Sequence, residues 1–212
     1  MEAAGDLLTL ADWRRTVAAL YTRIRELSAS DVRAAWELWR TDRERLYREH
    51  PQSPVPAPDR ATFRARHWPY DPSLRFEVPL EPVPPSPLGE SPPLLPNSGG
   101  DVLSFRRLGR VTLPLHGGER QLAVYWVTSY AGGLFLPFRD ATNGAETYGA
   151  GRYLVDAAKS ADLGGDRERA TLILDFNFAY QPSCAFDPKW ACPLAPPENR
   201  LDVPIRAGER LT

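Results

Sequence analysis

Eight prolines fall between Pro79 and Pro96, in the stretch PLEPVPPSPLGESPPLLP, and the 212-residue chain holds 22 in all. Proline fixes φ and has no amide proton, so it is excluded from helix interiors and central strands. A chain so punctuated cannot be all helix, and its regular elements must be short. The exception is the N-terminus, where no proline occurs before Pro51.

That proline-free segment reads as two helices. Leu10, Trp13, Val17, Leu20, Ile24 and Leu27 recur at spacings of three and four, an apolar helical stripe. Thr9 is placed to cap it, with Asp12 at the third helical position. Ser28 to Asp31 ends this helix and caps a second, whose face is Val32, Ala35, Trp36, Trp39, Leu46 and Tyr47. Charges of both signs fill the rest, including Arg40, Glu44 and Arg45. The expectation is a helical hairpin over residues 1–50 that packs on the body of the chain or forms a homodimer with a second copy.

Residues 51–212 read as a β-rich domain. An irregular bridge leads to a first strand at Leu74 to Val78, and residues 79–100 form a stiff, proline-rich surface connection. VLSFRRL, RVTLPL, RQLAVYWVTS and GLFLPFRD follow as strands separated by Gly109, Gly117-Gly118 and Gly132-Gly133. Asn143-Gly144 is a hairpin signal. AETYG, GRYLVD, ATLILDFNF and RLDVPIRAGE read as further strands. Nothing alternates as βαβ, so the expected class is mainly β with N-terminal helices (α+β): an antiparallel β-sandwich or barrel preceded by a helical hairpin.

A formal net charge of -1 supplies no field for nucleic acid or an anionic membrane. The N-terminus lacks a signal-peptide pattern, and no stretch is apolar enough for a membrane span, so a cytoplasmic protein is expected. Lys159 and Lys189 are the only lysines.

The chemistry-bearing residues gather near the C-terminus. Seven residues lie between Cys184 and Cys192, the only cysteines. That is too many for a thioredoxin-like pair, and none of His50, His67 and His116 lies in their block to complete a zinc site, so no metal is expected. Buried thiols and a disulfide remain, the latter worth about 2.5 kcal/mol by loop entropy. Gly149 and Gly151 flank a turn ending in Arg152. Its amides and guanidinium suit an anion, or else Arg152 pairs internally with Asp140 or Glu146. Asp175 and Glu198 are the acids placed for general acid/base work, or for holding loops. No serine elbow or histidine-dependent triad is present.

The motifs LFLPFRDATNGAETYGAGRYL, LDFNFAYQPSCAF and CPLAPPENRLDVPIRAGER resemble those of domain of unknown function 1684, a bacterial and archaeal family. WELWRTDRERL, HPQSPVP and WPYDPSLRFEV resemble its N-terminal part. Two departures are Ala150, in a glycine triplet, and Gln181, where the family shows asparagine. The resemblance marks Asp140, Glu146, Arg152, Asp175, Asn177, Tyr180, Cys184, Cys192, Glu198, Asn199 and Glu209 among the motif positions, and implies no activity or cofactor.

The functional expectation is a β-domain binding a small anionic molecule, with catalysis left open. Its pocket would lie between the TYGAGRY turn and the DFNFAY and CPLAPPEN segments. Arg139 and Arg152 would hold the anion, and Gly149 and Gly151 would offer amides. Asn177, Asn199, Asp175 and Glu198 would supply hydrogen bonds or proton transfer, and Tyr148, Tyr153 and Tyr180 the walls. The alternative is a non-catalytic structural or interaction protein that uses the helices as its interface.

Overall fold

The computed structural model describes residues 4–83, 94–100, 102–128 and 132–211, with backbone alone at 94–96 and 102. The central part of the proline-rich connection, residues 84–93, lies outside the described residues.

Helices α1 (Ala4–Ser28) and α2 (Val32–Glu49) form the expected hairpin. The side chain of Asp31 caps α2 by accepting from the Ala34 amide at 2.9 Å. Thr9 is not a cap. Its hydroxyl donates to the Asp6 carbonyl at 2.8 Å inside α1, so the helix begins a turn earlier than the stripe suggests.

Ten strands follow. They are β1 (Arg66–His67), β2 (Arg75–Pro79), β3 (Glu81–Pro82), β4 (Leu94–Pro96), β5 (Val102–Leu115), β6 (Gly118–Val127), β7 (Gly133–Phe138), β8 (Arg152–Asp156), β9 (Thr171–Asp175) and β10 (Glu209–Arg210). The main sheet runs β3-β5-β6-β7-β8, with β4 also pairing to β5. Pairs β2-β9 and β1-β10 are separate ribbons. All these pairings are antiparallel. Among the described residues no sheet closes into a barrel, so the protein is α+β with open sheets.

Three elements differ from the sequence reading. VLSFRRL and RVTLPL form the single strand β5, and Gly109 makes a register shift within it rather than a break. A Cβ on Gly109 would sit 2.1 Å from the Glu81 carbonyl oxygen, so glycine is needed where β3 lies across the bulge. AETYG is not a strand, and Asn143-Gly144 does not join two. They belong to a compact loop in which the Thr142 carbonyl accepts from the amides of Ala145, Glu146 and Thr147. RLDVPIRAGE is extended only at β10, because its carbonyls are turned to other partners described below.

The sheet is buried on both faces. Successive residues of β6 alternate between two clusters: Ala123 and Tyr125 join Leu20, Ile24, Trp36 and Trp39 of the helices, while Leu122 and Val124 join Val78 and Leu174 of the β2-β9 ribbon. The helical hairpin therefore packs on the body of its own chain. Each fully buried side chain such as Ile24 contributes roughly 1.5–3 kcal/mol. Two polar tethers fix its seating: Trp36 Nε1 donates to the Asn177 carbonyl at 3.0 Å, and Arg43 pairs with buried Glu209.

His67 packs edge-on against Trp39 at a centroid distance of 5.3 Å. Burial lowers its pKa from 6.5 to about 4, with Arg40 and Arg43 adding to the effect and Glu209 opposing it. The unfolded chain thus binds a proton that the folded chain refuses. The stability this neutral ring contributes is complete above pH 6.5 and is lost as pH falls through about 4. After allowance for partial exposure we expect about 2 kcal/mol to disappear over that window. Urea unfolding at stepped pH should show it, and His67→Phe should remove that part of the slope. A slope unchanged in His67→Phe would refute the assignment.

Candidate functional site

The glycine turn delivers Arg152 into the protein interior. Gly151 has φ +104°, and a Cβ there would lie 2.4 Å from the Phe138 carbonyl oxygen, so the chain can enter β8 at this point only with glycine. The Arg152 side chain is fully buried. Its Nη2 donates to Asp140 at 2.8 Å and to the Ile205 carbonyl at 2.7 Å, and its Nη1 donates to the carbonyls of Ala207 and Glu209. Asp140 also accepts from the Ile205 and Thr142 amides, each at 3.0 Å. Of the two sequence readings of Arg152, the internal ion pair with Asp140 is the one found. The guanidinium clamps the C-terminal segment to the sheet, and those carbonyls are consequently unavailable to a strand ladder. Arg139, just past β7, donates from Nε to the Ala150 carbonyl of this turn at 3.3 Å, and Gly149 is exposed.

Asp175 and Asn177 make a second clamp. Asp175 ends β9, is fully buried, and caps the short 3-10 turn Phe176–Phe178 by accepting from the Asn177 amide at 2.9 Å. Asn177 reaches the Asp71 backbone with both ends of its amide, at 2.8 Å each. Burial raises the Asp175 pKa against the pull of Asn177 and Arg75. Asn199 makes a third clamp, wedged between β6 and β7 where their pairing stops. Its Oδ1 accepts from the Ala123 amide at 2.8 Å, and its Nδ2 donates to the carbonyls of Ala123 at 2.9 Å and Pro137 at 2.7 Å. Glu198, beside it, faces outward, paired with Arg107 at 3.2 Å and accepting from the Tyr125 hydroxyl. Asp175 and Glu198 therefore stand in separate clusters rather than as one acid/base pair.

A concave cavity of about 320 Å³ lies elsewhere, between the helical hairpin and the body. Trp13, Tyr21 and Tyr47 line it from the helices, and Lys159, Tyr180 and Cys192 from the body. Arg14 and Arg43 complete its charge. Three cations and no carboxylate line it among the described residues. The Arg43 guanidinium sits 4.5 Å from the Tyr47 ring and 4.3 Å from the Tyr180 ring, with Glu209 behind it. The Tyr180 hydroxyl donates to Asp156 at 3.2 Å, and Lys159 pairs with the same carboxylate at 3.2 Å while staying half-exposed. Burial pushes the Tyr21 pKa up to about 12 and raises that of Tyr180, so both are neutral hydroxyls at physiological pH.

Cys184 and Cys192 are both free and buried. The Cys184 amide donates to Cys192 Sγ at 3.3 Å. The adjoining Tyr148 packs on this core from outside the cavity wall, while the Tyr153 hydroxyl donates to the Pro193 carbonyl at 2.6 Å. Of the residues expected to form a pocket, Tyr180 lines the cavity, and Cys192, expected as a buried thiol or disulfide partner, lines it too. Arg139, Tyr148, Gly149, Gly151, Arg152, Tyr153, Asn177 and Asn199 are not in its wall. Sequence reading missed Arg43, Lys159 and Tyr21, and marked Glu209 only as a motif position. Lys159, one of two lysines in an arginine-rich chain, was the one available signal.

Fold and site together define an open-sheet α+β protein with a helical hairpin seated over an aromatic, cation-lined cavity. The profile of the family described as Protein of unknown function (DUF1684) matches residues 63–210, and the chain belongs to that family. It is similar to the solution NMR structure of an uncharacterized protein from gene locus rrnAC0354 of Haloarcula marismortui, at 30% identity and a TM-score of 0.58. The similarity covers 81% of this chain and 90% of that one. A search of curated proteins found no match. No helix among the described residues is long and apolar enough to cross a membrane.

Proposed function

We propose that the protein binds a small anionic molecule in the cavity between the helical hairpin and the β-body. The observation that carries this reading is the lining: Arg14, Arg43 and Lys159 among aromatic rings, with no carboxylate in the wall itself among the described residues. Its volume suits a small ligand, and aromatic walls with a few convergent charges are the usual composition of such sites. Asp156 and Glu209 stand behind Lys159 and Arg43 and hold them in place. The hairpin spends Leu20, Ile24, Trp36 and Trp39 on its own core, which favours this role for the helices over a homodimer interface.

The test is a thermal-shift and calorimetric screen of mono- and dicarboxylates, phosphates and sulfonates against the full-length protein. A binder should raise Tm in proportion to its occupancy. Lys159→Ala, at a half-exposed position, should fold normally and weaken that binder about tenfold, the loss of one charge-assisted hydrogen bond. A screen without binders, or affinity unchanged in both Lys159→Ala and Arg14→Ala, would refute the proposal.

A further inference from the structure

We infer that the ligand of this cavity is an aromatic monocarboxylate, a flat apolar body carrying one negative charge, an inference that rests on the anion-binding reading above. The ion pairs set the number of charges. Arg43 is matched by Glu209, and Lys159 by Asp156 at 3.2 Å, so each of these cations is neutralised by an acid outside the cavity wall. Arg14 has no such partner. Among the described residues it makes no ion pair or hydrogen bond. The helix gives the reason: the positions three and four residues away, Leu10, Ala11, Val17 and Ala18, offer no acid. Arg14 shares one face of α1 with Leu10, Val17 and Tyr21, all of which line the cavity. It is a single uncompensated charge in an apolar stripe, balanced by one carboxylate and overbalanced by two.

The rings specify the rest of the ligand. Of the five aromatic side chains in the wall, three use their polar atoms inside the protein. The Tyr21 hydroxyl accepts from Trp39 at 3.2 Å, that of Tyr180 donates to Asp156, and Trp190 Nε1 donates to the Pro54 carbonyl at 3.3 Å. Trp13 Nε1 and the Tyr47 hydroxyl have no partner among the described residues. Tyr47 keeps only 4 % of its surface exposed, packed against Trp13, Phe63 and Phe186, and a hydroxyl so buried is ordinarily paired. Both free ring donors belong to the helical hairpin, as Arg14 does. A carboxylate accepts from such groups, and from Arg14 in the two-pronged geometry of a guanidinium. Leu10, Val17, Pro54 and three alanines fill out the wall, a surface that favours an apolar body. About 320 Å³ is near the lower end of the roughly 300–1,000 Å³ usual for small-molecule sites, which limits that body to one or two rings.

The experiment titrates the full-length protein, by calorimetry and ligand-observed NMR, with four probes. Benzoate carries one charge on a ring, benzamide is its neutral counterpart, terephthalate adds a second charge at the far end of the same ring, and succinate is a dianion without a ring. We expect benzoate to bind about tenfold tighter than each of the other three. Arg14→Gln, at an exposed position, should keep the Tm of the unmutated protein and bring benzoate down to the affinity of benzamide. Terephthalate or succinate binding as tightly as benzoate overturns the inference and leaves the anion-binding reading standing. So does an undiminished preference for benzoate over benzamide in Arg14→Gln. Equal affinity for benzoate and benzamide with no binding of succinate, or no binding of any probe or of any anion in the wider screen, defeats both readings. If Arg14→Gln does not fold, the charge series on the unmutated protein decides the matter.

Discussion

Replacing Arg152 by methionine should cost about 3–5 kcal/mol of folding stability, the largest single effect expected in this protein. Arg152 and Asp140 are both fully buried and 2.8 Å apart, and the arginine also serves the carbonyls of Ile205, Ala207 and Glu209. Methionine fills much of the volume but returns none of these bonds. Asp140 is then a buried charge with only amide and hydroxyl donors, and the carbonyls lose their partners. Lysine restores a charge but not the planar fork, so Arg152→Lys should recover only a fraction. For a chain of this length the loss amounts to a drop of roughly 10 °C in Tm. Urea and thermal unfolding followed by circular dichroism measure both. A loss below about 1 kcal/mol would contradict the clamp. Asp140→Asn with Arg152→Met should be less damaging than the two changes summed, because the unpaired charge is removed together with its partner.

Asn199 is the second such point, with about 3–4 kcal/mol expected for Asn199→Ala. Its amide stands in for a missing stretch of strand. Beyond Tyr125 and Phe135 the β6 and β7 ladder ends, and the side chain supplies a donor and an acceptor to Ala123 and a donor to Pro137. Asn199→Asp discriminates this role from simple packing. It keeps the shape but turns an oxygen toward two carbonyl oxygens, so it should destabilise at neutral pH at least as much as alanine. If aspartate is tolerated, the peptide-mimic role is wrong. Denaturant midpoints for both variants suffice to decide.

The helices were legible because an amphipathic helix writes its burial into a three-four spacing. Leu20, Ile24, Trp36 and Trp39 lie where that spacing puts them. The strands between Val102 and Phe138 were legible for a similar reason, except that Gly109 looked like a stop and proved a site of close approach. The clamp residues were singled out on different grounds: Arg152 for its glycine-flanked turn, Asp175 as a carboxylate ending an apolar strand, and Asn177 and Asn199 as motif positions. Their partners were not legible, since Arg152 could pair with Asp140 or Glu146 equally well on spacing. It is Arg206 that takes Glu146 on the surface, at 2.9 Å. The cavity was illegible because half its wall comes from the helices. Trp13 and Tyr47 read as core stripe, and Arg43 was lost among the surface charges of α2.

By itself, then, the sequence determined the class: a proline-free helical hairpin before an antiparallel body, and a family membership. These depend on local periodicity and residue type. Only the tertiary structure decided which acid Arg152 meets, that Asn199 bridges two strands, and that Arg43, Lys159, Tyr180 and Cys192 face one cavity. Such contacts join residues 12 to 166 positions apart, as Arg152 with Asp140 and Arg43 with Glu209. Over those separations no periodicity constrains the partner, and packing of the helices onto the sheet makes the choice.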